Sequence, residues 1–346
     1  MARTHKHLWQ KVVSLGNLMQ AANLAMRGRR SLAPVAGFFA EWELECVNLA
    51  EELESGSYRP GAYRYFKIYE PKERMVAAAP FRDRVVHHAL VRVLEPLFEP
   101  RFLEDSFACR KGKGTHAGMR RALHHSARHP FALKCDLKRY FPSIDHGILT
   151  GEIARVVADD RVMNLVGKIL ASHRDGSRRE WRGEDLFDFT DHPRGLPIGN
   201  LTSQFFANIH LDRFDHFVKQ ELRVPGYVRY VDDFLLFGPD RTTLHRWGKQ
   251  CREYLAARRM ELHPDKYRLC RTAEGVDFCG FVVRADGRVR LRSSGVRRFR
   301  KRYLRIKHEW KAGQREASEL RDAVRSWVAH ANHAHTWRLR TKVLGT

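Results

Sequence analysis

Three aspartates have the chemical type and the setting to act together. Asp232 and Asp233 are adjacent and lie between two apolar runs, residues 227–230 and 234–237, while Asp136 lies in an earlier apolar run. Buried carboxylates without counter-ions repel one another and are costly to desolvate, and a divalent cation removes both penalties. On one sheet face, the three could hold two Mg²⁺ ions, or Mn²⁺, for an in-line displacement at phosphorus. For the adjacent pair alone, a structural turn explains the sequence equally well.

A predicted strand and a predicted hairpin position these aspartates. In residues 131–137 the side chains alternate, so Leu133, Cys135 and Leu137 share one face of a strand and Lys134 and Asp136 share the other. Residues 227–237 are predicted to form two apolar strands joined by a tight turn at the aspartate pair.

Apolar periodicity predicts the surrounding helices. They cover residues 38–54 (ended by Ser55-Gly56-Ser57), 81–98 and 148–171, with a further helix that begins near Thr202-Ser203 and buries Phe206, Ile209 and Phe217. Residues 62–70 alternate like a strand, and the polar stretch 172–195 is predicted to be an exposed insertion.

The charge balance points to a polyanionic partner. The 346 residues include 63 Lys and Arg against 40 Asp and Glu, a formal net charge of +23. Such a field favours nucleic acid, although a protein that binds an anionic membrane, or one with a merely soluble basic surface, would show the same composition.

The six cysteines include no Cys-x-x-Cys pair, which argues against a zinc ribbon or a disulfide framework. No apolar run is long enough to span a bilayer, so we expect a cytoplasmic protein.

The motifs around the aspartates resemble one polymerase family. Residues 230–233 (YVDD) between two apolar strands, preceded by residues 134–145 (KCDLKRYFPSID), resemble the palm of reverse transcriptases. The resemblance runs from about Arg64 to the C-terminus and implies an α+β, right-hand RNA-directed DNA polymerase. Its implied parts are an N-terminal helical extension (1–62), fingers (63–130), a palm built on an antiparallel sheet with helices (131–285, with an inserted segment at about 151–194) and a basic helical thumb (286–346).

The resemblance also assigns roles at the palm motifs. Asp136, Asp232 and Asp233 would be the catalytic metal ligands, and the backbone carbonyl of Leu137 would also face a metal. Phe141 matches the steric-gate position, where a bulky ring collides with a ribose 2′-OH. A core aromatic residue at that position would look the same.

Cations for the triphosphate come from the segment that resembles the fingers. There the resemblance assigns Lys72 and Arg74 to the incoming nucleotide, with Arg82 and Arg84 as second candidates, because Arg and Lys both bind phosphate. Lys266 matches a lysine that would act as a general acid for pyrophosphate.

The C-terminal part is predicted to contact nucleic acid. Residues 278–281 (FCGF) look like a primer-grip turn, and residues 288–307 contain ten Lys or Arg and no acidic residue. The residues assigned to nucleic-acid binding are Arg297, Arg298, Arg300, Lys301, Arg302 and Arg305. The histidines 330, 333 and 335 are interpreted as packed or RNA-facing residues of a thumb helix, in preference to metal ligands.

Residues 195–204 (GLPIGNLTSQ) indicate a subgroup. Ile198 stands where many reverse transcriptases carry Gln, and Gly-x-x-x-Ser-Gln follows, ending at Gln204. This pattern resembles the reverse transcriptases of diversity-generating retroelements, bacterial or phage systems that copy a template RNA into cDNA with errors at adenines. Losing a polar contact near the nascent pair should weaken selection against mispairs. Alternatively, Ile198 only repacks the pocket. Ile198 and Gln204 are both assigned to nucleotide binding.

The resemblance implies several partners. They are template RNA, the RNA–cDNA duplex, deoxynucleoside triphosphates and a small basic accessory variability protein, expected to be a pentamer. No RNase H-like or HNH domain is expected. Two alternatives remain: a reverse transcriptase of the group II intron, retron or phage-defence kind, and a non-catalytic RNA-binding scaffold. The intact aspartates argue against the scaffold.

Overall fold

The described part of the chain combines helices with antiparallel sheets. The computed structural model describes residues 4–69, 73–173 and 192–345. These residues form a mixed helix and sheet fold in which every strand pairing is antiparallel, and this confirms the predicted α+β class. The subdomain boundaries drawn from the resemblance remain predictions, and most of the predicted insertion lies outside the described residues.

The helices and strands of the described residues have the following bounds. The helices are α1 (Trp9–Val13), α2 (Leu15–Met26), α3 (Ala33–Ala40), α4 (Trp42–Glu54), α5 (Phe81–Phe98), α6 (Thr115–Ser126), α7 (Tyr140–Ser143), α8 (His146–Ala154), α9 (Asp160–Ala171), α10 (Leu201–His216), α11 (Arg241–Ala257), α12 (Ser293–Lys311), α13 (Ala317–Ala331) and α14 (Trp337–Leu344). The strands are β1 (Arg64–Ile68), β2 (Arg74–Ala78), β3 (Phe131–Asp136), β4 (Gly226–Tyr230), β5 (Asp233–Gly238), β6 (Arg268–Arg271), β7 (Val276–Phe278), β8 (Phe281–Val283) and β9 (Val289–Leu291).

The chain divides into two compact units. The first comprises the described parts of residues 1–103, 138–215 and 254–261, and the second those of residues 104–137, 216–253 and 262–346. The first unit is mainly helical and includes the β1–β2 hairpin, which confirms the strand predicted within residues 62–70. Helix α5 has the predicted bounds.

The predicted helix over residues 38–54 is wrong at one point, because it breaks at Glu41 into α3 and α4. The break accompanies a cluster of aromatic rings. The ring of Phe81 lies 5.1 Å from that of Phe38 and 6.1 Å from that of Phe39. Packing against a distant helix therefore overrides the local periodicity.

The predicted helix over residues 148–171 is also two helices, α8 and α9. Asp159 is the N-cap of α9, and its carboxylate accepts the N–H of Val162 at 3.2 Å. The same carboxylate accepts the N–H groups of Leu8 at 2.7 Å and Trp9 at 3.0 Å. An Asp before an apolar run is a known start signal for a helix, so this break was visible in the sequence.

Helix α10 begins at Leu201, next to the predicted start. Phe206 and Ile209 are buried, as predicted. Phe217 is only half-buried, because α10 continues there into a π-helical turn and Val218 becomes the buried residue instead. A change of helical period shifts the inward face, which a period of 3.6 residues cannot anticipate.

The second unit is built on a four-stranded sheet with the order β4-β5-β3-β6. The predicted strand within residues 131–137 and the predicted hairpin over residues 227–237 are both confirmed. The central pair is β3–β5, whose register sets Ala132 opposite Phe237 and Asp136 opposite Asp233. Leu133 and Cys135 are fully buried on the opposite face of β3, as the alternation predicts.

The face of the large sheet that carries Asp136 and Asp233 also carries Ala132, at the opposite end of β3. Helix α6 and the small β7-β8-β9 sheet pack over this Ala132 end and form a core with it. The shared hydrophobic cluster includes Met119 and Ala122 from α6, Val228 and Phe237 from the large sheet, and Phe281 from the small one. The carboxylates lie at the other end of β3. One end of the sheet face is therefore apolar and covered, and the other end is polar.

The β7–β8 connection is a two-residue turn, as predicted for residues 278–281. Its residues, Cys279 and Gly280, have φ angles of 51° and 85°. Two successive positive φ angles are the pattern of the tightest hairpins. In the helices that follow, the rings of Phe299 (α12) and Trp327 (α13) stack with centroids 4.2 Å apart.

The cysteines form no bridges, and all six are free. Burial raises the pKa of the Cys135 thiol well above its usual value, so this thiol stays protonated and unreactive. Within the described ranges, no helix is both long enough and apolar enough to cross a membrane.

Gly226 tests the packing of the β4–β5 pair. A Cβ at Gly226 would lie 2.7 Å from Cβ of Phe237, its cross-strand partner, and 3.0 Å from Nδ1 of His125. We expect Gly226→Ala to lower the free energy of unfolding by about 1–3 kcal/mol through overpacking. Gly16→Ala is the matched control: Gly16 lies in α2, where an added Cβ would meet nothing within 4 Å, so Ala should be neutral or stabilising there. Urea unfolding of both variants measures the difference, and equal midpoints would contradict the close packing.

Candidate functional site

Asp136 and Asp233 face each other across two central strands. Asp136 ends β3, Asp233 begins β5, and the two are direct partners in the antiparallel register. Such partners share a sheet face, with Cβ atoms about 4.5–5.5 Å apart. Their side chains are 13% and 22% exposed. Asp232 precedes Asp233 at the tip of the hairpin, so the three predicted ligands lie at one end of the sheet.

Two lysines serve as counter-ions for the facing carboxylates. Nζ of Lys266 lies 2.6 Å from Oδ1 of Asp136, and Nζ of Lys134 lies 3.1 Å from Oδ2 of Asp233. Lys134 also donates to the backbone carbonyl of Asp277 at 2.7 Å. The predicted site residue Lys266 is therefore in direct contact with a predicted ligand.

The Asp233 carboxyl is electrostatically unfavourable even with its lysine. Burial raises its pKa to about 7; Lys134 opposes the shift, and the negative charges of Asp136 and Asp232 add to it. Its Oδ1 atom is buried and has no hydrogen-bond partner among the described residues. A buried carboxylate oxygen without a donor carries a desolvation cost that a cation would remove.

The donor set fits a hard divalent cation, because carboxylate oxygens are the ligands that Mg²⁺ prefers. In residues 4–69, 73–173 and 192–345, no three His, Cys, Asp or Glu side chains converge closely enough to hold a metal in the observed arrangement. In this arrangement Asp136 and Asp233 form separate ion pairs with Lys266 and Lys134. Binding by both carboxylates requires these side chains to turn from the lysines toward the ion.

The turn that carries Asp232 is strained. Tyr230 pairs with Asp233, so Val231 and Asp232 form a two-residue connection, and Val231 has a φ of 58°. A β-branched residue in this left-handed region costs about 1–3 kcal/mol. Hairpins with a positive φ at the first turn position usually place Gly there. Leu137 helps to hold the turn, because its N–H donates to the carbonyl of Asp232 at 3.1 Å.

Arg229 is a candidate site residue that the motifs did not indicate. Its side chain is 1% exposed, and its guanidinium donates to the carbonyl of Val231 at 3.0 Å. Charged side chains are almost never fully buried without a partner. An Arg among the apolar residues of β4 was therefore a visible signal.

The nucleotide-handling candidates Phe141, Ile198 and Gln204 lie in the first unit. The N–H of Leu196 donates to the carbonyl of Phe141 at 2.9 Å, and the N–H of Ala77 donates to the carbonyl of Ile198 at 3.1 Å. The structure thus connects the loop around Ile198 to Phe141 and to β2. Phe141 and Ile198 are half-buried, and Gln204 is exposed on α10.

Close backbone approach fixes the loop around Ile198. Gly199 has a φ of 113°, and a Cβ there would lie 2.9 Å from Cγ1 of Val76. Next to it, Nδ2 of Asn200 donates to the carbonyl of Ala77 at 3.1 Å. Only Gly combines this φ with this contact, so the loop conformation is specified locally.

The predicted triphosphate cations differ in their surroundings. Lys72 lies outside the described residues, and Arg74 is exposed at the start of β2. Arg82 forms an ion pair with Glu52 at 2.5 Å, and Nε of Arg84 donates to a backbone carbonyl at 2.9 Å. Arg82 and Arg84 thus already have partners within the first unit, whereas Arg74 is open to solvent.

Helix α12 presents the predicted basic face. The six residues assigned to nucleic-acid binding are all exposed: Arg297, Arg298, Arg300, Lys301, Arg302 and Arg305. Tyr303 and Ile306, on the opposite side of the helix, are buried. The helix therefore separates an apolar contact face from a cationic face.

The C-terminal histidines make ring and hydrogen-bond contacts with neighbouring residues. The ring of His333 stacks on that of His116 with centroids 3.5 Å apart, and the ring of His330 lies 4.5 Å from that of Phe281. Nδ1 of His335 accepts the N–H of Val289 at 3.1 Å. His330 is half-buried and matches the packed interpretation, whereas His333 and His335 are exposed and lie after the end of α13.

Comparisons with known proteins agree with the motifs. Residues 68–283, more than half of the chain, match the family described as "Reverse transcriptase (RNA-dependent DNA polymerase)". Protein YkfC of Escherichia coli (strain K12) is 25% identical over 284 residues, covering 70% of this chain and 71% of YkfC. The group II intron-encoded protein LtrA of Lactococcus lactis subsp. cremoris is 26% identical over 192 residues, covering 55% of this chain and 30% of LtrA.

Telomerase structures are among the similar solved structures. One, from Candida albicans in complex with a fragment of telomeric RNA, has a TM-score of 0.44 and 14% identity, covering 71% of this chain and 49% of that chain. The other, from Candida tropicalis, has a TM-score of 0.48 and 11% identity, covering 67% of this chain and 55% of that chain.

Asp233→Asn tests the cost of the buried carboxylate. An acid whose pKa rises on folding destabilises the fold as pH increases from its unfolded pKa to its folded pKa, here from 3.8 to about 7. A pKa shift of this size corresponds to about 4 kcal/mol of destabilisation of the folded wild type above pH 7. Asp233→Asn removes this cost, but part of the gain in stability is lost because Lys134 no longer has a charged partner. In EDTA at pH 8 we therefore expect Asp233→Asn to be more stable than wild type by about 1–3 kcal/mol.

Thermal unfolding with and without Mn²⁺ completes this test. Mn²⁺ should raise the melting temperature of wild type and leave that of Asp233→Asn unchanged, because only a site present in the folded state stabilises it. Asp286→Asn, an exposed aspartate bonded to Arg288, should keep the wild-type metal response. An equal Mn²⁺ response in wild type and Asp233→Asn would contradict the site.

Proposed function

The chain belongs to the reverse transcriptase family, and from this membership we propose that it is an active RNA-directed DNA polymerase that makes cDNA from a template RNA. One observation carries the proposal of activity. Asp136 stands directly opposite Asp233 and near Asp232, with a buried Asp233 oxygen that lacks a donor among the described residues. A scaffold that only bound RNA would gain nothing from this costly arrangement.

In the proposed mechanism, two divalent cations, Mg²⁺ or Mn²⁺, would be held by Asp136, Asp232, Asp233 and the backbone carbonyl of Leu137. These ions would stabilise the attacking 3′-oxygen and the leaving pyrophosphate of an in-line displacement. Lys266, whose Nζ lies 2.6 Å from Oδ1 of Asp136, would act as the general acid that gives a proton to the departing pyrophosphate. Proton transfer by a positioned side chain contributes typically 10²–10⁴-fold to the rate.

Selection of the nucleotide is proposed for residues of the first unit. Phe141 would exclude a ribose 2′-OH, and Arg74 and Lys72 would bind the triphosphate. Ile198 and Gln204 would adjoin the nascent base pair. Backbone hydrogen bonds join the loop around Ile198 to Phe141 and to β2. They support this grouping, because they connect the residue proposed to exclude the 2′-OH with the residue proposed to contact the nascent base pair.

The exposed cationic face of α12 supports binding of the template RNA and of the RNA–cDNA duplex. The six exposed Arg and Lys side chains assigned on α12 suit a phosphate backbone. Residues 288–307 contain no acidic residue, and Glu309, just beyond them, lies 3.9 Å from Nε of Arg305. The other partners proposed are deoxynucleoside triphosphates and a small basic accessory protein, expected to be a pentamer.

We further propose that the chain serves a diversity-generating retroelement and copies template adenines with errors. The half-exposed Ile198 supports this, because a branched hydrocarbon cannot make the polar contacts on which base discrimination relies. The similarity to a group II intron-encoded protein defines the contrasting outcome, a reverse transcriptase that copies accurately.

Primer extension on an RNA template tests the proposed activity. With Mg²⁺ or Mn²⁺, the wild-type chain should incorporate deoxynucleotides, and Asp232→Asn should reduce the rate by at least about 10²-fold. Asp240→Asn is the matched control, because Asn can still cap α11 as Asp240 does through Thr243, and it should retain full activity. Absence of template-dependent synthesis by wild type, or full activity of Asp232→Asn, would refute the proposal.

Ile198→Gln tests the proposed infidelity. Restoring an amide should lower misincorporation opposite template adenine by roughly tenfold, equivalent to about 1.4 kcal/mol of discrimination. Ile198→Leu, which keeps the site apolar, should leave the error rate unchanged. Sequencing of the cDNA products measures both rates. Accurate copying of adenine by wild type would contradict the retroelement proposal and leave the polymerase proposal standing.

A further inference from the structure

Arg229 is the largest of the fully buried side chains in the described chain, with 1% exposure. It lies on β4, directly before residues 230–233 (YVDD). A guanidinium is permanently charged and is costly to bury, so its position needs a physical explanation. None of the proposed catalytic and binding roles uses this side chain.

The guanidinium of Arg229 joins two segments of the second unit. One nitrogen donates to the carbonyl of Val231 and another to Oγ of Ser106, each at 3.0 Å. The backbone around Ser106 pairs with β4, because the N–H of Arg229 donates to Asp105 at 2.9 Å and the N–H of Phe107 donates to Arg229 at 3.0 Å. Arg229 is therefore anchored at its backbone and at the end of its side chain.

The carbonyl that Arg229 holds belongs to the strained residue of the hairpin. Val231 has a φ of 58°, and its carbonyl is part of the peptide group that precedes Asp232. The peptide group that follows Asp232 is held by the N–H of Leu137 at 3.1 Å. Both peptide groups that flank Asp232 thus have a fixed donor. A charged donor bonds a carbonyl more strongly than a neutral one, so it suits a strained conformation.

We propose that Arg229 is a positioning residue that holds the turn at Val231 so that Asp232 and Asp233 present their oxygens to the divalent cations. It touches neither substrate nor metal and acts through the backbone of the turn. This inference rests on the proposed function, because it gives Arg229 a role toward the metal-binding carboxylates. It predicts that weakening the contact impairs metal binding and the chemical step more than it impairs folding or binding of nucleic acid.

Two single variants of the full chain weaken the contact in different ways. Arg229→Lys keeps the charge but lacks the planar fork that reaches both Val231 and Ser106. Ser106→Ala keeps Arg229 and removes one of its anchors, so it is informative even if Arg229→Lys folds poorly. Arg121→Lys is the matched control, because the Arg121 guanidinium belongs to the same unit but bonds the carboxylate of Asp105, at 2.5 Å.

Four quantities are measured for each variant: the melting temperature in EDTA, the Mn²⁺ dissociation constant by calorimetry, and kcat and KM for primer extension. Arg229→Lys should weaken Mn²⁺ binding by about 10–100-fold and lower kcat similarly, with KM for the primer–template unchanged. Ser106→Ala should produce a smaller loss of the same kind. Arg121→Lys should change the melting temperature alone.

Adding Val231→Gly distinguishes positioning from bulk stability. Gly adopts a positive φ without strain, so the turn depends less on its clamp. In the Val231→Gly background, Arg229→Lys should therefore weaken Mn²⁺ binding by a smaller factor than in wild type. If Arg229→Lys and Ser106→Ala lower the melting temperature but leave Mn²⁺ binding and kcat at wild-type values, Arg229 is merely structural and the proposal is overturned.

The arms of the experiment separate this inference from the proposed function. If wild type binds Mn²⁺ and synthesises no DNA, the polymerase proposal fails and the calorimetric comparison still decides the role of Arg229. If wild type does not bind Mn²⁺, the positioning role is overturned along with the metal site.

Discussion

Two carboxylates placed directly opposite each other on two largely buried central strands are the constraint on which the second unit depends. Asp136 and Asp233 are fixed as partners by the β3–β5 register, and a shift of one residue in that register would place them on opposite faces of the sheet. The register in turn depends on the apolar end of the same face, where Ala132 and Phe237 pack in a shared core. The hydrophobic core therefore determines where the charges lie.

The polar end of the sheet is stabilised by contacts that can be exchanged. Lys134 and Lys266 neutralise the facing carboxylates in the observed arrangement, yet burial still raises the pKa of Asp233 to about 7. A divalent cation has a higher charge density than an ammonium group. It would therefore replace the side chains of Lys134 and Lys266 as the counter-ion of Asp233 and Asp136. The backbone beneath is held more firmly, since the left-handed Val231 is secured through its carbonyl by Arg229. A rigid backbone with exchangeable side-chain partners is the design expected of a site that binds its ions reversibly.

Local sequence pattern predicts where the helices and strands of this fold lie. It predicts less well where a helix breaks and which side chains contact each other. Alternation was sufficient to predict β3, two apolar runs around the aspartate pair to predict the β4–β5 hairpin, and apolar periodicity to predict α5. The break at Glu41 escaped prediction because it depends on the distant ring of Phe81. The partial exposure of Phe217, which was predicted to be buried, escaped because a π-helical turn changes the period. The three aspartates could be named from the sequence, whereas their pairing with Lys134 and Lys266 and the role of Arg229 required coordinates.

The location of the metal ions tests the central claim most directly. A crystal of the full chain soaked in Mn²⁺ and measured at the manganese absorption edge reveals bound ions by anomalous scattering. The arrangement of the β3–β5 pair predicts an anomalous peak from a manganese ion that is bound by Asp136 and Asp233. The Nζ atoms of Lys134 and Lys266 should then be displaced from the two carboxylates. No peak at these aspartates in a well-occupied soak, with both lysine contacts intact, would contradict a metal-dependent polymerase site at this position.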